Sequence, residues 1–547
     1  MNNYHGQEEQ QRTSMKVRRR VISDFALFLN RNEGIATENS DPARMTSSLV
    51  NTAWKIAAQF QFTDSDVRSC ARQFIEEMRQ VADWNIHQGL SLAVDLGGTN
   101  LRVCSVDLHG DGTFHVEQTK VAVSKQLMVA PEASQLFSYI AAQIKDFLEL
   151  HHGDYLGCCK AGDLQPLSLG FTFSFPAYQT SIQSGVLLRW TKGYDIPCVV
   201  GQDVCQLLQQ EISLLRLPVR VTALVNDAAG TIMSRAYTLP LPQTRTSIGA
   251  IFGTGTNCVY LEKLSNISKH LDGDYDRSTG EMFISIEWGS FNNHLSVLPN
   301  TPYDEELNAS SANRGNQMFE KRVSGMFLGE LLRIVLLQMH EDPQVGLFRR
   351  GDLIGVSGLG ASSPLRQRWS VDSSILSTAE ADTADDLGLL REVIQGQLGV
   401  PSANISIEDA SAVKTIACAI GRRAARLAGM AIGAVVLKVL SSRRAQASPV
   451  QRDIKNQTVK ASNGICVASA ISDPETEATP EQDMIDIGVD GSLIEHYPRF
   501  EKHMREALRS IDGIGVAGEK KIRIGIAKDG SSVGAAIIAL LATQSTF

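Results

Sequence analysis

Apolar, β-branched runs in this chain repeatedly stop at a turn built of Gly, Asp, Asn or Thr. Leu90–Gly98 reads LSLAVDLGG, Val219–Asp227 reads VRVTALVND, Thr246–Asn257 reads TSIGAIFGTGTN and Lys521–Gly530 reads KIRIGIAKDG. Another run, Leu167–Phe175, stops at Pro176. Each has a strand's length and a strand's share of Val, Ile and Thr, and turn residues end it. Val103, Ser105 and Asp107 continue a second strand, with HGDG around Gly110 as its hairpin turn. Between Ser47 and Trp84, Leu49, Trp54, Ile56, Val67, Phe74, Met78 and Val81 recur at helical spacing, which predicts two or three helices. Strands that alternate with helices and end in such loops predict an α/β fold, in which ligands gather at the carboxyl ends of the strands.

Composition narrows the function classes. Of the 547 residues 43% are hydrophobic and 20% charged, enough to bury large cores. The net charge of -8 disfavours a nucleic-acid binder, which needs a basic surface to displace counterions. The nine Cys are scattered, Cys158 and Cys159 being adjacent, and they lack zinc-site spacing. They read as reduced thiols of an intracellular protein, and a cytoplasmic location is the default. The most apolar stretch, Leu427 to Leu437, is Gly/Ala-rich and closed by Lys438. It falls short of the roughly 18 apolar residues of a span, so no transmembrane segment is expected. Residues 1–45 read as a polar tail around one short apolar helix, and the basic Lys16 to Arg20 reads as a solvated face. Nuclear or mitochondrial-surface association stays open. Residues 441–482, rich in Ser, Ala, Thr and charge, read as a disordered insertion in a surface loop.

Common nucleotide signatures fail. No Gly-Lys dipeptide occurs, so there is no ordinary P-loop. Gly513, Gly515 and Gly518 form a GxGxxG, but it follows a helix-like stretch and precedes a strand, the reverse of a dinucleotide fingerprint. What remains are two Gly/Thr turns after strands, Asp95-Leu-Gly-Gly-Thr-Asn100 and Gly253-Thr-Gly-Thr-Asn257. Glycine lets backbone N–H groups approach an anion, Thr adds a hydroxyl, and an Asp at the turn can hold a hydrated Mg²⁺. Two such turns far apart suggest two lobes clasping one triphosphate; two tight turns without a ligand would use the same residues. A third constellation is polar: Asn226-Asp227 ends an apolar strand, Glu287 sits in IEWGSF, and Glu320 opens a helical stretch. Carboxylates beside apolar runs are costly to bury unless paired, and a polyol such as a sugar would satisfy several at once. An Asp there can serve as general base on a hydroxyl. Taken singly, each is equally a helix cap or a salt bridge.

As a set, these residues resemble a known family. LAVDLGGTNLRV resembles the first phosphate motif of the hexokinases, and LGFTFSFPAYQTSIQSGVLLRWTKGYDIP (Leu169–Pro197) resembles their sugar-binding signature. ALVNDAAGT, IFGTGTN, IEWGSF and FEKRVSGMFLGELLR follow in the family's order, and VDGSL and AKDGSSVGAA are similar to its adenosine-side motifs. The likeness, of the fungal type, runs from about Ser47 to Leu541 outside the insertion. It implies a two-lobed actin-like ATPase fold with the site in the interlobe cleft, an N-terminal region over 46–240 and a C-terminal region over 241–543. It also implies phosphorylation of a hexose at the 6-hydroxyl by ATP and Mg²⁺, feeding glycolysis, with Asp227 as general base. Ser174, Thr191, Lys192, Asn226, Asn257, Glu287 and Glu320 would hold the sugar, with Lys192 also in a catalytic role. Asp95 would hold Mg²⁺ through water, and Gly97, Gly98, Thr99, Asn100 and Arg102 would face the phosphates with Thr254 opposite. Asp490, Gly491, Ser492, Gly530 and Ser531 would line the nucleoside.

The sequence departs from the family pattern in places. Ala228 stands where Thr follows the catalytic Asp, removing a hydroxyl beside the base. Lys528 replaces a frequent Glu, Ser532 a Gly, Asn292 an acid, Val200 a Glu, and Cys258 a Gly or Ala. Two readings result: an active hexose kinase, or a hexokinase-like sugar sensor with little turnover. The tail or insertion would carry any regulatory protein partner.

Overall fold

The computed structural model describes residues 48–60, 89–98, 100–160, 165–239, 246–267, 280–349, 359–444 and 484–544. The tail, Thr99, the helical pattern beyond residue 60, and most of the insertion lie outside the described residues.

The Gly-ended runs become strands of two five-stranded sheets. In chain order the strands are β1 (Gly89–Leu96), β2 (Asn100–Leu108), β3 (Phe114–Ala122), β4 (Leu167–Phe173), β5 (Ala177–Ser181), β6 (Ser184–Leu187), β7 (Val219–Val225), β8 (Thr246–Phe252), β9 (Thr256–Lys263), β10 (Glu281–Ser285), β11 (Ile485–Asp490) and β12 (Ile522–Ile526). The sheets have the orders β3-β2-β1-β4-β7 and β10-β9-β8-β11-β12, with β5-β6 a separate hairpin. In both, an antiparallel meander of three strands is followed by two strands parallel to the first. This repeated half is the two-lobed actin-like architecture. Strands β4 and β11 are buried along their whole length, as parallel strands covered on both faces must be, and hence read as continuous apolar runs.

The halves exchange helices. The helix Asp227–Thr238 follows β7 of the first sheet, yet Gly249 of β8 and Gly488 of β11 lie against it in the second. The helix Gly530–Gln544 follows β12 of the second sheet and lies on Gly170 of β4 in the first. The two helices cross where a Cβ on Gly534 would stand 1.9 Å from the Gly230 carbonyl oxygen. Only glycine permits that approach. At the other end of the chain, Leu49, Ala53 and Ile56 of the helix Ser48–Gln59 join the core of the second sheet with Ile248 and Tyr260. The stretches 46–240 and 241–543 therefore each give a terminal helix to the other.

The helix Ile407–Arg444 corrects two expectations from sequence. Residues 441–444 belong to it, so the insertion begins later than Ser441. The helix is also long and apolar enough by composition to cross a membrane, with a mean hydropathy of 1.6 over its most apolar window. That window is 78% buried inside the fold, which makes it a core element. Its Gly/Ala richness is a contact surface: a Cβ on Gly429 would lie 2.3 Å from the Met504 carbonyl oxygen.

Within this core Arg423 meets Asp304 at 2.7 and 2.8 Å, and both side chains are almost wholly buried. Burial raises the Asp304 pKa, but Arg423 outweighs it and leaves the carboxyl at about 2, below its ordinary 3.8. A depressed folded-state pKa contributes stability above the unfolded value and loses it as pH falls through the folded one. Asp304 is therefore expected to contribute about 2 kcal/mol above pH 4, lost between about pH 4 and 2. Denaturant titrations across that window should show wild type losing this much more stability than Asp304→Asn.

Candidate active site

One cleft between the sheets, enclosing about 390 Å³ open to solvent, is lined by Ser174, Phe175, Pro176, Thr191, Lys192, Asn226, Asp227, Thr256, Asn257, Glu287, Gln317 and Glu320. The seven residues that the resemblance assigned to holding the sugar meet there, and Asp227 with them. Ser174 follows β4, while Thr191 and Lys192 lie in the turn beyond β6, so these come from the first lobe. Asn257 lies in β9, Glu287 follows β10 and Glu320 opens the short helix Glu320–Val323, all in the second. Asn226 and Asp227 stand between the two, at the junction of β7 with the crossing helix.

Helix capping fixes that junction. Asn226 is the N-cap, its side chain accepting from the Ala228 N–H at 3.0 Å, and the Asp227 Oδ1 accepts from the same N–H at 2.8 Å. Asn at an N-cap satisfies a donor the helix leaves open, and a carboxylate in the first turn suits the helix dipole.

The cleft carboxylates are held by neutral donors. Glu287 Oε1 accepts from Asn257 Nδ2 at 2.7 Å and Ser285 Oγ at 3.1 Å, with its backbone left-handed at φ 52°. Burial raises its pKa, and the negative charge of Asp227 adds to this. Glu320 Oε2 accepts from the Thr256 N–H at 3.0 Å; burial raises its pKa while Lys192 opposes the rise.

Lys192 is the cation facing this acidic set. Its Nζ donates to the Ser174 carbonyl at 2.7 Å and lies 5.6 Å from the centre of the Phe175 ring. Its stem runs between the two Gly/Thr turns. A Cβ on Gly98 would meet Thr254 Cγ2 at 3.0 Å and Lys192 Cδ at 3.4 Å, and one on Gly255 would meet Lys192 Cε at 3.1 Å. The turns thus face each other across the cleft, as the sequence expected of them.

The adenosine-side motifs close on the first turn. Ser531 Oγ donates to Asp95 Oδ2 at 2.9 Å, and its N–H donates to Asp490 Oδ2 at 3.2 Å. Arg102 pairs with Asp529 at 2.9 Å, and Gly97 N–H closes its turn on the Asn100 carbonyl at 3.0 Å. Gly491, at φ 114°, leads into Ser492 and packs on Phe252 and Gly253. Gly530 opens the helix that carries Ser531. Burial raises the Asp95 pKa, with Arg102 and Ser531 opposing.

The departures find structural accounts away from the cleft lining. Ala228 is fully buried with Ile232 and Val259. Asn292 adopts φ 52° and its Oδ1 accepts from the N–H groups of Val297 and Leu298, a task suited to Asn. Cys258 is fully buried, whereas Val200 and Lys528 are exposed. Ser532 is buried with its Oγ unpartnered. Sequence reasoning missed Gln317, and it took Thr256 only as part of the second Gly/Thr turn, whereas it lines this cleft. Gln317 adopts φ 55° and accepts from Ser290 Oγ, but an uncharged residue escaped a search for carboxylates beside apolar runs.

Behind Lys192, Tyr194 stacks on Trp190 at 5.4 Å and meets Phe175 edge-on at 4.9 Å. Its hydroxyl is buried without a partner. Tyr194→Phe is expected to stabilise the fold by about 1 kcal/mol, because a buried unmade hydrogen bond costs about that much. A higher denaturant midpoint at unchanged slope would show it.

Two lobes of repeated topology, with a polar cleft beside paired glycine turns, define a sugar kinase of the actin-like class. Models of the hexokinase family match residues 85–237 and 247–541. The glucokinase of Aspergillus niger is 44% identical over 531 residues, spanning 91% of this chain and 98% of that protein. Glucokinase-1 of Saccharomyces cerevisiae is 37% identical over 472 residues, 83% of this chain and 85% of that one. The solved hexokinase of Schistosoma mansoni, complexed with glucose, aligns with a TM-score of 0.68 and 28% identity over 90% of this chain and 98% of its own. The chain belongs to the hexokinase family and is a kinase that transfers phosphate to a sugar hydroxyl.

Proposed function

We propose that this protein phosphorylates glucose, and hexoses sharing its hydroxyl pattern, at the 6-hydroxyl using MgATP. The observation that carries the reading is the convergence of Asp227 with Lys192, Asn257, Glu287 and Glu320 in one cleft beside both glycine turns. Asp227 accepts the proton of the 6-hydroxyl as its oxygen attacks the γ-phosphorus; the bond to the leaving β-phosphate oxygen breaks and ADP departs. Asn257, Glu287 and Glu320 orient the sugar, the carboxylates accepting from its hydroxyls. Those hydrogen bonds add donors to the carboxylates, and this differential energy favours closure. Lys192 holds the attacking end in register with both turns. Closure excludes water, which would otherwise take the phosphoryl group.

The phosphate side fits a divalent cation. Asp95 is half-buried with one hydroxyl donor on Oδ2, and Asp490 converges on the same Ser531, so two carboxylates face the turn where phosphates would lie. Mg²⁺ bound with ATP supplies neutralisation of phosphate charge. Asp95 would hold it through water, Gly97, Gly98, Thr99, Asn100, Arg102 and Thr254 would face the phosphates, and Gly491, Ser492 and Gly530 would line the nucleoside.

The free thiols of Cys104, Cys198, Cys205, Cys258 and Cys418 support a cytoplasmic location. The sensor reading is not favoured, because the relatives that the chain resembles over most of its length are named glucokinases and hexokinases. The test is hexose phosphate formed from glucose and MgATP by the purified chain. A folded chain that yields none from glucose, fructose or mannose overturns the reading.

A further inference from the structure

Three glycines lie in register across the second sheet: Gly249 of β8 pairs with Gly488 of β11, which pairs with Gly525 of β12. Together they form a trough, and the helix Asp227–Thr238 lies in it. A Cβ on Gly249 would stand 2.4 Å from the Ala228 carbonyl oxygen and 2.5 Å from Ile232 Cγ1. One on Gly488 would stand 3.0 Å from the Thr231 carbonyl oxygen and 2.9 Å from Arg235 Cβ. One on Gly525 would stand 2.2 Å from Arg235 Cζ. Successive turns of the helix thus rest on successive strands, and the last strand takes the Arg235 guanidinium itself.

Arg235 is also locked at its far end. Its Nε and Nη2 donate to Asp486 at 3.1 and 2.9 Å, and Asp486 is fully buried. Thr246 Oγ1 and Arg523 Nε donate to the same carboxylate at 2.8 and 2.6 Å. A bidentate Arg–carboxylate pair fixes direction as well as distance. Asp486 and Gly488, like Arg523 and Gly525, are two residues apart in their strands and so share one face.

The opposite side of the helix is filled at the crossing, where a Cβ on Gly230 would stand 2.5 Å from the Ser531 carbonyl oxygen. The helix is therefore held from two sides near its start; at its other end Arg235 ties it to the second sheet, while Tyr237 ties it to the first lobe, its hydroxyl accepting from the Gly110 N–H at 2.8 Å and donating to the Thr113 carbonyl at 3.0 Å. Asp227 begins this helix, eight residues and about 12 Å from Arg235.

We propose that Arg235, with Asp486 and the Gly249–Gly488–Gly525 trough, positions Asp227: it keeps the helix from sliding or turning, so that the carboxylate stays registered with the second lobe, although β7, the strand leading to it, belongs to the first. The inference rests on Asp227 being the base. Arg235 touches no substrate and acts only through the helix. A base displaced by a fraction of an ångström loses transition-state alignment before it loses ground-state sugar contacts, and misplacement of 1 Å can cost about a hundredfold in rate.

The experiment compares kcat, the KM for MgATP and the directly titrated glucose Kd for wild type, Arg235→Gln, Arg235→Lys, Gly525→Ala and Asp227→Ala, with thermal midpoints. Gly525→Ala removes no charge and displaces the guanidinium only, which keeps the test alive if Arg235→Gln folds poorly. Expected is a fall in kcat of about tenfold in Arg235→Gln and Gly525→Ala, with glucose Kd and ATP KM within about threefold of wild type. Arg235→Lys, which keeps the charge on Asp486, should recover part of the rate. A lowered midpoint with wild-type kcat per folded molecule in both variants would make the lock merely structural and overturn the proposal. Absence of turnover in wild type, or full turnover in Asp227→Ala, would instead overturn the functional reading beneath it.

Discussion

Asp227→Ala is expected to lower kcat for hexose phosphorylation by about 10²–10⁴, the range ascribed to a positioned general base, while glucose still binds. The attacking hydroxyl must shed its proton as the O–P bond forms, and Asp227 is the cleft carboxylate placed at the junction of the two lobes. The remaining ligands, Asn257, Glu287 and Glu320, are untouched by the change, so glucose affinity should fall by less than about tenfold, the equivalent of one lost hydrogen bond. Pre-steady-state quench separates the chemical step from product release, and calorimetry gives the affinity. Asp227→Asn keeps the shape and hydrogen-bonding capacity without the basicity. Equal loss in Asn and Ala variants would assign the effect to proton transfer. Wild-type turnover in either would remove Asp227 from that role.

What was legible in the sequence follows from which forces are local. The Gly- and Asp-ended runs were readable because strand propensity and turn chemistry lie within a few residues of one another, and β1, β7 and β8 fall where they were expected. The residues of the cleft were readable as an ordered set because most sit near a strand end or a helix start, with Thr191 and Lys192 in the turn beyond β6. Their convergence was implied by resemblance and could not be read from spacing alone, since Lys192 and Glu320 are brought together by lobe packing. β4 stops at Phe173, short of Phe175, because Ser174 and Phe175 turn into the cleft lining. The helix exchange at Gly230 and Gly534 was invisible, because a glycine within a helical pattern carries no sign of the backbone it will touch. Ala228 shows a related limit: the sequence places it next to the base, and only the helical geometry shows that its side chain makes an apolar contact with Ile232 and Val259.

Replacing Glu287 with Gln should separate stability from binding. The ionised carboxylate is costly in the empty cleft, because burial and the neighbouring Asp227 both disfavour its charge. Its raised folded-state pKa means that ionisation costs stability above the ordinary 4.5, a cost relieved as pH falls through the folded value. A neutral amide does not pay that cost, and its oxygen can still accept from Asn257 and Ser285. Glu287 keeps contact with solvent, which screens that cost, so ligand-free Glu287→Gln is expected to be at least as stable as wild type. The same change replaces charged hydrogen bonds to the sugar with neutral ones, and hexose affinity should fall about 10–100-fold. Acidification should mimic it in part: wild-type affinity begins to fall above pH 4.5 as the carboxyl takes up its proton, while the Gln variant shows a shallower fall, carried by Glu320, whose pKa burial also raises. The left-handed backbone at Glu287 points the same way, since strain of about 1–3 kcal/mol persists where function requires the geometry. Thermal scans with and without glucose read both effects in one experiment. A Gln variant that is less stable than wild type and binds glucose equally well would make Glu287 a structural residue and move sugar recognition to Glu320 and Asn257.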